Sequence, residues 1–243
     1  MSFLIRVAHW FTTSANWSGT SGIPELFWRS LELSLAVVAA GLILGGGLGV
    51  ILGHTGRGGL VAVNAANAFR AVPSLALLTL LAIQPAISLK WDGFLAAWIA
   101  LTALAIPPIL TNTYVGMREV DADVRDAARA MGLTGRQVLT RVEAPLALPF
   151  VMAGVRTASI EVVATSTLAA YVGYSDLGSY VISGLDTQNT VLAVSGALLV
   201  AAMAALVALG LGAPLRVLTP APLRRDASVT TLGGRTRAGL AES

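Results

Sequence analysis

Five long apolar segments constrain the fold of this 243-residue chain more than any other feature of its sequence. The stretches 33–53 and 93–117 contain no charged residue at all. A helix that crosses the hydrocarbon core of a bilayer needs roughly 20 predominantly apolar residues. We therefore predict an all-α membrane protein with about five spans, at residues 27–53, 59–83, 93–117, 146–172 and 188–215.

The composition supports this class and argues against enzymes. Charged residues make up 12% of the chain, whereas soluble domains contain roughly 25%. The absence of cysteine excludes disulfides and thiolate metal sites, and His9 and His54 are the only histidines. No group of residues has the spacing of metal ligands or of a nucleophile and its base. We expect no metal and no catalytic residue, which leaves an intramembrane enzyme as a remote alternative.

The distribution of basic residues predicts the orientation of the spans. Eleven arginines fall on one side, in the connection after span one, the loop 118–145 and the residues after 215. Only Arg6, Arg29 and Lys90 fall on the other side. Because basic residues concentrate on the cytoplasmic side, we predict an outside N-terminus and a cytoplasmic C-terminus. The arginines on the cytoplasmic side then explain the net charge of +3, and no nucleic-acid partner is expected.

The two ends of the chain are predicted to lie outside the transmembrane domain, which covers residues 27–218. Residues 1–26 form an extracytoplasmic or interfacial segment, because the apolar run 3–11 is too short for a signal peptide. Trp10 and Trp17 suit headgroup depth in contact with lipid. Residues 219–243 are rich in proline, glycine, arginine and threonine and are predicted to form a disordered cytoplasmic tail.

Span one carries a glycine at every fourth position, at Gly41, Gly45, Gly49 and Gly53. Residues at this spacing share one helix face, and small residues there let another helix backbone approach closely. The partner is either a neighbouring span of the same chain or a second subunit. We favour the neighbouring span.

The loop 118–145 contains ten charged residues, in a chain that has 16 basic and 13 acidic residues in total. Asp121 or Asp123 can cap a helix that ends near Met131, and Gly132 suits the left-handed position after a helix. Thr134 and Gln137 form a capping-box pair for a second short helix, predicted to end near Val142 because Pro145 follows. These signals favour an ordered helical hairpin over a solvated linker.

The hairpin resembles the cytoplasmic "EAA" signature of permease subunits in binding-protein-dependent ABC importers. That signature has Glu-Ala-Ala, three residues, glycine, nine residues and then Ile-x-Leu-Pro. The corresponding residues have the same spacing here, with Asp, Val and Ala replacing Glu, Ile and Leu. They are Asp126, Ala127, Ala128, Gly132, Val142, Ala144 and Pro145. The resemblance extends over most of residues 30–215.

Several further segments look like the osmoprotectant branch of this family, whose members import glycine betaine, choline, carnitine or related quaternary amines such as proline betaine. The segments are 72–78, 112–116, 136–139, 153–157 and 167–173. The hairpin itself does not exclude a permease for another small polar solute, such as an amino acid or a sulfonate.

The resemblance implies the type I ABC importer permease fold and a division of labour among subunits in the inner, plasma membrane of a bacterium. It implies a second permease subunit, identical or homologous, two ATP-binding subunits and an extracytoplasmic substrate-binding protein. ATP and Mg would bind to the partner ATPase, since this chain has no phosphate-loop motif. The residues implied in coupling to the ATPase are Asp126, Ala127, Ala128, Arg129, Met131, Gly132, Thr134, Val142 and Pro145.

Several polar residues lie within the predicted spans. A charged group near the bilayer centre is costly, so Glu161 is predicted to pair with Arg70 or Arg156. The resemblance implies uncharged residues at positions 70 and 161. These polar groups either line the transport pathway or fix helix packing. The pathway candidates are Asn64, Asn67, Arg70, Arg156, Thr157, Glu161 and Thr165.

Overall fold

The computed structural model describes residues 2–84, 87 and 93–218, and in this part of the chain the fold is helical with no strand. The predicted tail 219–243 and Lys90 lie outside the described residues. The helices are α1 Phe3–Thr12, α2 Ile23–Gly41, α3 Gly47–Thr55, α4 Gly59–Phe69, α5 Ser74–Ala82, α6 Phe94–Arg118, α7 Ala122–Ala130, α8 Gly135–Val138, α9 Ala144–Ser166, α10 Gly178–Asp186 and α11 Thr190–Leu218.

Four helical stretches in the described part are long and apolar enough to cross a membrane. The first joins α2 and α3 through a π turn, and α6, α8–α9 and α11 form the cores of the others. The fifth candidate is the pair α4 and α5, which is bent by 79°. The break begins at Arg70 and ends at Pro73, the N-cap of α5. The described helices therefore provide four spans, or five if the bent pair α4 and α5 counts as one broken span.

The prediction that the second hairpin helix ends near Val142 is wrong. From Gly135 the chain continues through a π turn, Leu139–Glu143, into α9, and the whole stretch Gly135–Val172 has 38 residues. Pro145 lies in the first turn of α9. A proline interrupts a regular α-helix through its missing N–H and its clash with the carbonyl four residues earlier. The wider π turn changes that spacing just before the proline, so the helix continues.

The glycine face of span one packs against α6, as the sequence predicted. A Cβ built on Gly45 would lie 2.9 Å from the backbone oxygen of Ile106. On Gly53 it would lie 2.3 Å from the Met117 Cβ atom. The two backbones approach so closely only because these side chains are absent. α6 also contacts α4, α5 and α9, and it is the central helix of the bundle.

The N-terminal segment packs on the far end of the bundle from the hairpin. α1 contacts α11, and the Trp10 ring meets the Tyr180 ring edge-on at 5.2 Å between centroids. The Trp17 indole N–H donates to the backbone oxygen of Phe11 at 2.7 Å. The headgroup depth of both tryptophans stays a prediction.

A buried carboxyl group, Asp176, follows the fourth span and precedes α10. Its side chain is fully buried, and one oxygen accepts the Gly178 N–H at 2.9 Å. Burial raises the pKa of the Asp176 carboxyl to about 7, and hydrogen bonds from Gly178, Ser166 and Ser179 only partly oppose this shift. Below pH 7 the native protein therefore favours the protonated, neutral form of this carboxyl group.

We expect the thermal stability of the detergent-solubilised protein to fall as pH rises from about 4 to about 7. In that window the native state holds a proton on Asp176 that the unfolded state has released, so deprotonation opposes folding. The loss is at most about 4 kcal/mol. Asp176→Asn should flatten the dependence and melt higher than wild type at pH 8. The exposed Asp186→Asn is the control and should keep the wild-type slope; an unchanged slope in Asp176→Asn would contradict the assignment.

Candidate coupling hairpin and membrane cavity

The first helix of the hairpin, α7, is capped and almost fully exposed. The Asp121 carboxylate accepts the Asp123 N–H at 2.9 Å, which selects Asp121 from the two predicted caps. No residue of this fully described helix is buried. Ala127 is exposed, and Met131 just after the helix is 83% exposed. An ordered helix that leaves most of its side chains exposed offers its surface to another molecule.

The turn after α7 follows the predicted capping pattern. Gly132 has φ +85°, and the Leu133 N–H donates to the Ala128 carbonyl at 3.2 Å. The Thr134 N–H donates to the Gln137 side chain at 2.8 Å, and the reciprocal bond closes the capping box. The left-handed turn at Gly132 and the capping box of Thr134 and Gln137 together fix the shape of the hairpin.

The remaining predicted hairpin residues lie on α7, in the π turn and at the start of α9. The Arg129 guanidinium is 3.2 Å from the Asp126 carboxylate, three residues earlier on the exposed face of α7. Such an exposed pair contributes little to stability, so both groups remain available to a partner. Val142 lies half-buried in the π turn, and Pro145 lies exposed at the start of α9.

A buried carboxylate, Glu143, joins the hairpin to the bundle. Its side chain is 1% exposed, with one oxygen 2.5 Å from His54 Nδ1 and the other 3.2 Å from Arg125 Nε. Arg125 also donates through Nη2 to the Met117 carbonyl at 2.8 Å. The cluster thus links the ends of α3 and α6 to α7. Sequence reasoning missed it, because His54 and Glu143 are 89 positions apart; an acidic residue at the entry to a span was the only signal.

A cavity of about 450 Å³ lies at the bend of span two. Arg70, Pro73, Leu101, Glu161 and Thr165 are among its lining residues. The Arg70 guanidinium bonds to the Glu161 carboxylate, so the structure selects Arg70 from the two predicted partners. Both side chains are 41% exposed in the single chain.

The other pathway candidates lie elsewhere. Arg156 donates from Nε to the backbone oxygen of Ala208 at 3.2 Å, on α11. Asn64, Asn67 and Thr157 are exposed and are not among the described residues that line the cavity. The structure thus brings Arg70, Glu161 and Thr165 together and leaves the other four apart.

Four or five apolar spans, an exposed helical hairpin at one end and a cavity that contains an ion pair are together the features of a membrane transport subunit. The family model "Binding-protein-dependent transport system inner membrane component" matches residues 38–221, and the chain belongs to that family. It is a multi-pass protein of the inner membrane and a transport component, in a family that is not catalytic.

Similar proteins agree with this assignment. The chain is 34% identical over 197 residues to the carnitine transport permease protein OpuCB of Listeria monocytogenes, covering 81% of this chain and 88% of that protein. It is 33% identical over 204 residues to the choline transport system permease protein OpuBB of Bacillus subtilis, covering 83% and 92%. Among solved structures, an inward-facing MetNI methionine ABC transporter chain superimposes with TM-score 0.70 at 25% identity, covering 79% of this chain and 94% of that one.

Proposed function

We propose that this chain forms the translocation pathway of an ATP-driven importer for a small quaternary amine, such as glycine betaine, choline, carnitine or proline betaine. The observation that carries the proposal is similarity along most of both chains to permeases named for carnitine and choline. An amino acid or sulfonate permease has less support, because the methionine transporter is more distant in sequence, at 25% identity.

The proposal requires several partners. A separate binding protein would deliver the substrate outside, where the N-terminus lies, and a second identical or homologous permease would complete the pathway. Two ATP-binding subunits, carrying ATP and Mg, would bind in the cytoplasm. The exposed residues of α7 and its turn, including Ala127, Arg129 and Met131, would seat in a groove of the ATPase. Arginine suits such an interface because its planar guanidinium pairs bidentately with carboxylates.

Within this chain the pathway would pass the cavity at the bend of span two. A broken span leaves backbone groups free to face a water-filled cavity, and transport proteins use such breaks at their substrate sites. Arg70, Glu161 and Thr165 are the pathway residues that this location favours. A pathway role for Asn64, Asn67, Arg156 and Thr157 stays a prediction.

The test is uptake into proteoliposomes that contain the chain with its cognate ATPase and binding protein. We expect ATP-dependent accumulation of labelled glycine betaine, carnitine or choline and no accumulation of methionine or taurine. Omitting the binding protein is the control and should reduce uptake to background. Accumulation of methionine or taurine alone would contradict the substrate class, and failure of any ATPase to copurify would contradict the importer.

A further inference from the structure

The cavity at the bend of span two has one cation and one anion among its described lining residues, and they bond to each other. Arg70 comes from the break between α4 and α5, and Glu161 comes from α9. Most of the other lining side chains are apolar, including Val72, Leu101 and Val162. The cavity volume of about 450 Å³ lies in the range of small-molecule sites.

An ion pair in such a cavity discriminates between ligands by their charge pattern. Its two charges compensate each other, and removing one partner would leave the other unpaired among mostly apolar lining residues of a membrane span. A ligand that carries only a positive charge could pair with Glu161, but it would leave the Arg70 guanidinium unpaired. A zwitterion brings both charges, so its carboxylate can accept bidentate hydrogen bonds from Arg70 while its cationic end lies against Glu161.

We propose that Arg70 and Glu161 form a substrate-exchangeable ion pair, which opens around a zwitterionic quaternary amine and disfavours a purely cationic one. This inference rests on the proposed function and names the substrate class that this cavity accepts. Betaines and carnitine carry a carboxylate as well as a quaternary ammonium, whereas choline carries only the cation. A quaternary ammonium has no hydrogen to donate, so its attraction to Glu161 is Coulombic.

The competing explanation is packing, in which the same ion pair only holds the bend of span two against α9. Neutralising a packing contact should reduce transport of every substrate in the same proportion. Neutralising a substrate contact should change the ratio between substrates. The maximal uptake rates of glycine betaine and choline, with the binding protein saturated by each, therefore distinguish the two roles.

In the reconstituted complex, we expect Arg70→Gln to lower the glycine betaine to choline uptake ratio at least about tenfold, which corresponds to about 1.4 kcal/mol. Glu161→Gln should slow both substrates, because both use its charge. The double variant Arg70→Gln with Glu161→Gln can retain an amide hydrogen bond across the bend, and it should also show the lowered ratio. It keeps the test valid where a single variant folds poorly.

Arg29→Gln is the control, since this arginine also pairs with a glutamate, Glu25, but on α2 and outside the described lining of the cavity. It should keep the wild-type ratio. A ratio unchanged within about twofold in both Arg70 variants, with uptake of the two substrates falling together, would show a packing contact and overturn the inference. Absence of quaternary-amine uptake by the wild-type complex would instead refute the proposed function.

Discussion

Replacing Gly132 with tryptophan should abolish substrate-stimulated ATP hydrolysis while the protein still reaches the membrane. Gly132 lies in the exposed turn between α7 and α8, and a Cβ there would meet no described atom within 4 Å. A tryptophan would therefore project from the hairpin into the surface that we propose seats in the ATPase. The measurement is the ATPase rate of the reconstituted complex with and without loaded binding protein.

Two further variants sharpen this test. Gly132→Ala introduces the same left-handed strain, at φ +85°, with almost no bulk; it should cost about 1–2 kcal/mol of stability and keep most of the stimulation. Arg129→Glu adds a second carboxylate beside Asp126 and should also uncouple the complex. If the tryptophan and the charge-reversal variants are both stimulated normally, the hairpin is only a linker between spans.

Gly53→Leu should severely destabilise the protein or prevent its folding. A Cβ at Gly53 would lie 2.3 Å from the Met117 Cβ, so the larger side chain must push span one away from α6 along their whole contact. Overpacking of this kind typically costs about 1–3 kcal/mol, and more where both partners are backbone-close helices. The measurement is the yield of monodisperse protein in detergent and its midpoint of thermal unfolding.

Gly47→Leu is the matched control, since Gly47 lies on the same helical stretch and a Cβ there would have no described atom within 4 Å. It should retain the yield and melting midpoint of wild type. Equal losses in the two variants would mean that the close approach to α6 does not explain the glycine repeat. Gly49→Leu should resemble Gly53→Leu, because its Cβ would lie 2.7 Å from the Thr113 Cβ.

Features encoded by local patterns could be predicted from the sequence. The spans follow from apolar length, the glycine spacing indicated close packing of span one against another helix, and the capping box follows from Thr134 and Gln137. The predicted end of the second hairpin helix before Pro145 was wrong, because a π turn that the sequence pattern does not indicate lets the helix continue through this proline. Arg70 and Pro73 interrupt the apolar sequence of span two at the position of the break, but its 79° angle depends on tertiary packing.

The candidate site was predictable in its residue types but not in its geometry. The cost of intramembrane charge required a partner for Glu161, yet only the fold separates Arg70 from Arg156, whose side chain reaches the Ala208 carbonyl. Helical periodicity alone gave Asn64 and Asn67 the same weight as Arg70, because it does not show which helix face meets a cavity. Contacts between residues far apart in sequence set those distinctions.

The cluster of Glu143, His54 and Arg125 connects the hairpin stiffly to the spans. A flexible connection would not transmit a displacement of α7 to the spans. Here the Glu143 carboxylate, which is 1% exposed, contacts both Arg125 on α7 and His54 at the end of α3. The end of α3 is in turn seated against α6 through Gly53. A displacement of α7 by a partner would therefore move the hairpin-side ends of α3 and α6 together. If the hairpin couples to an ATPase as we propose, it would act as the short arm of a stiff lever whose long arm is the first span.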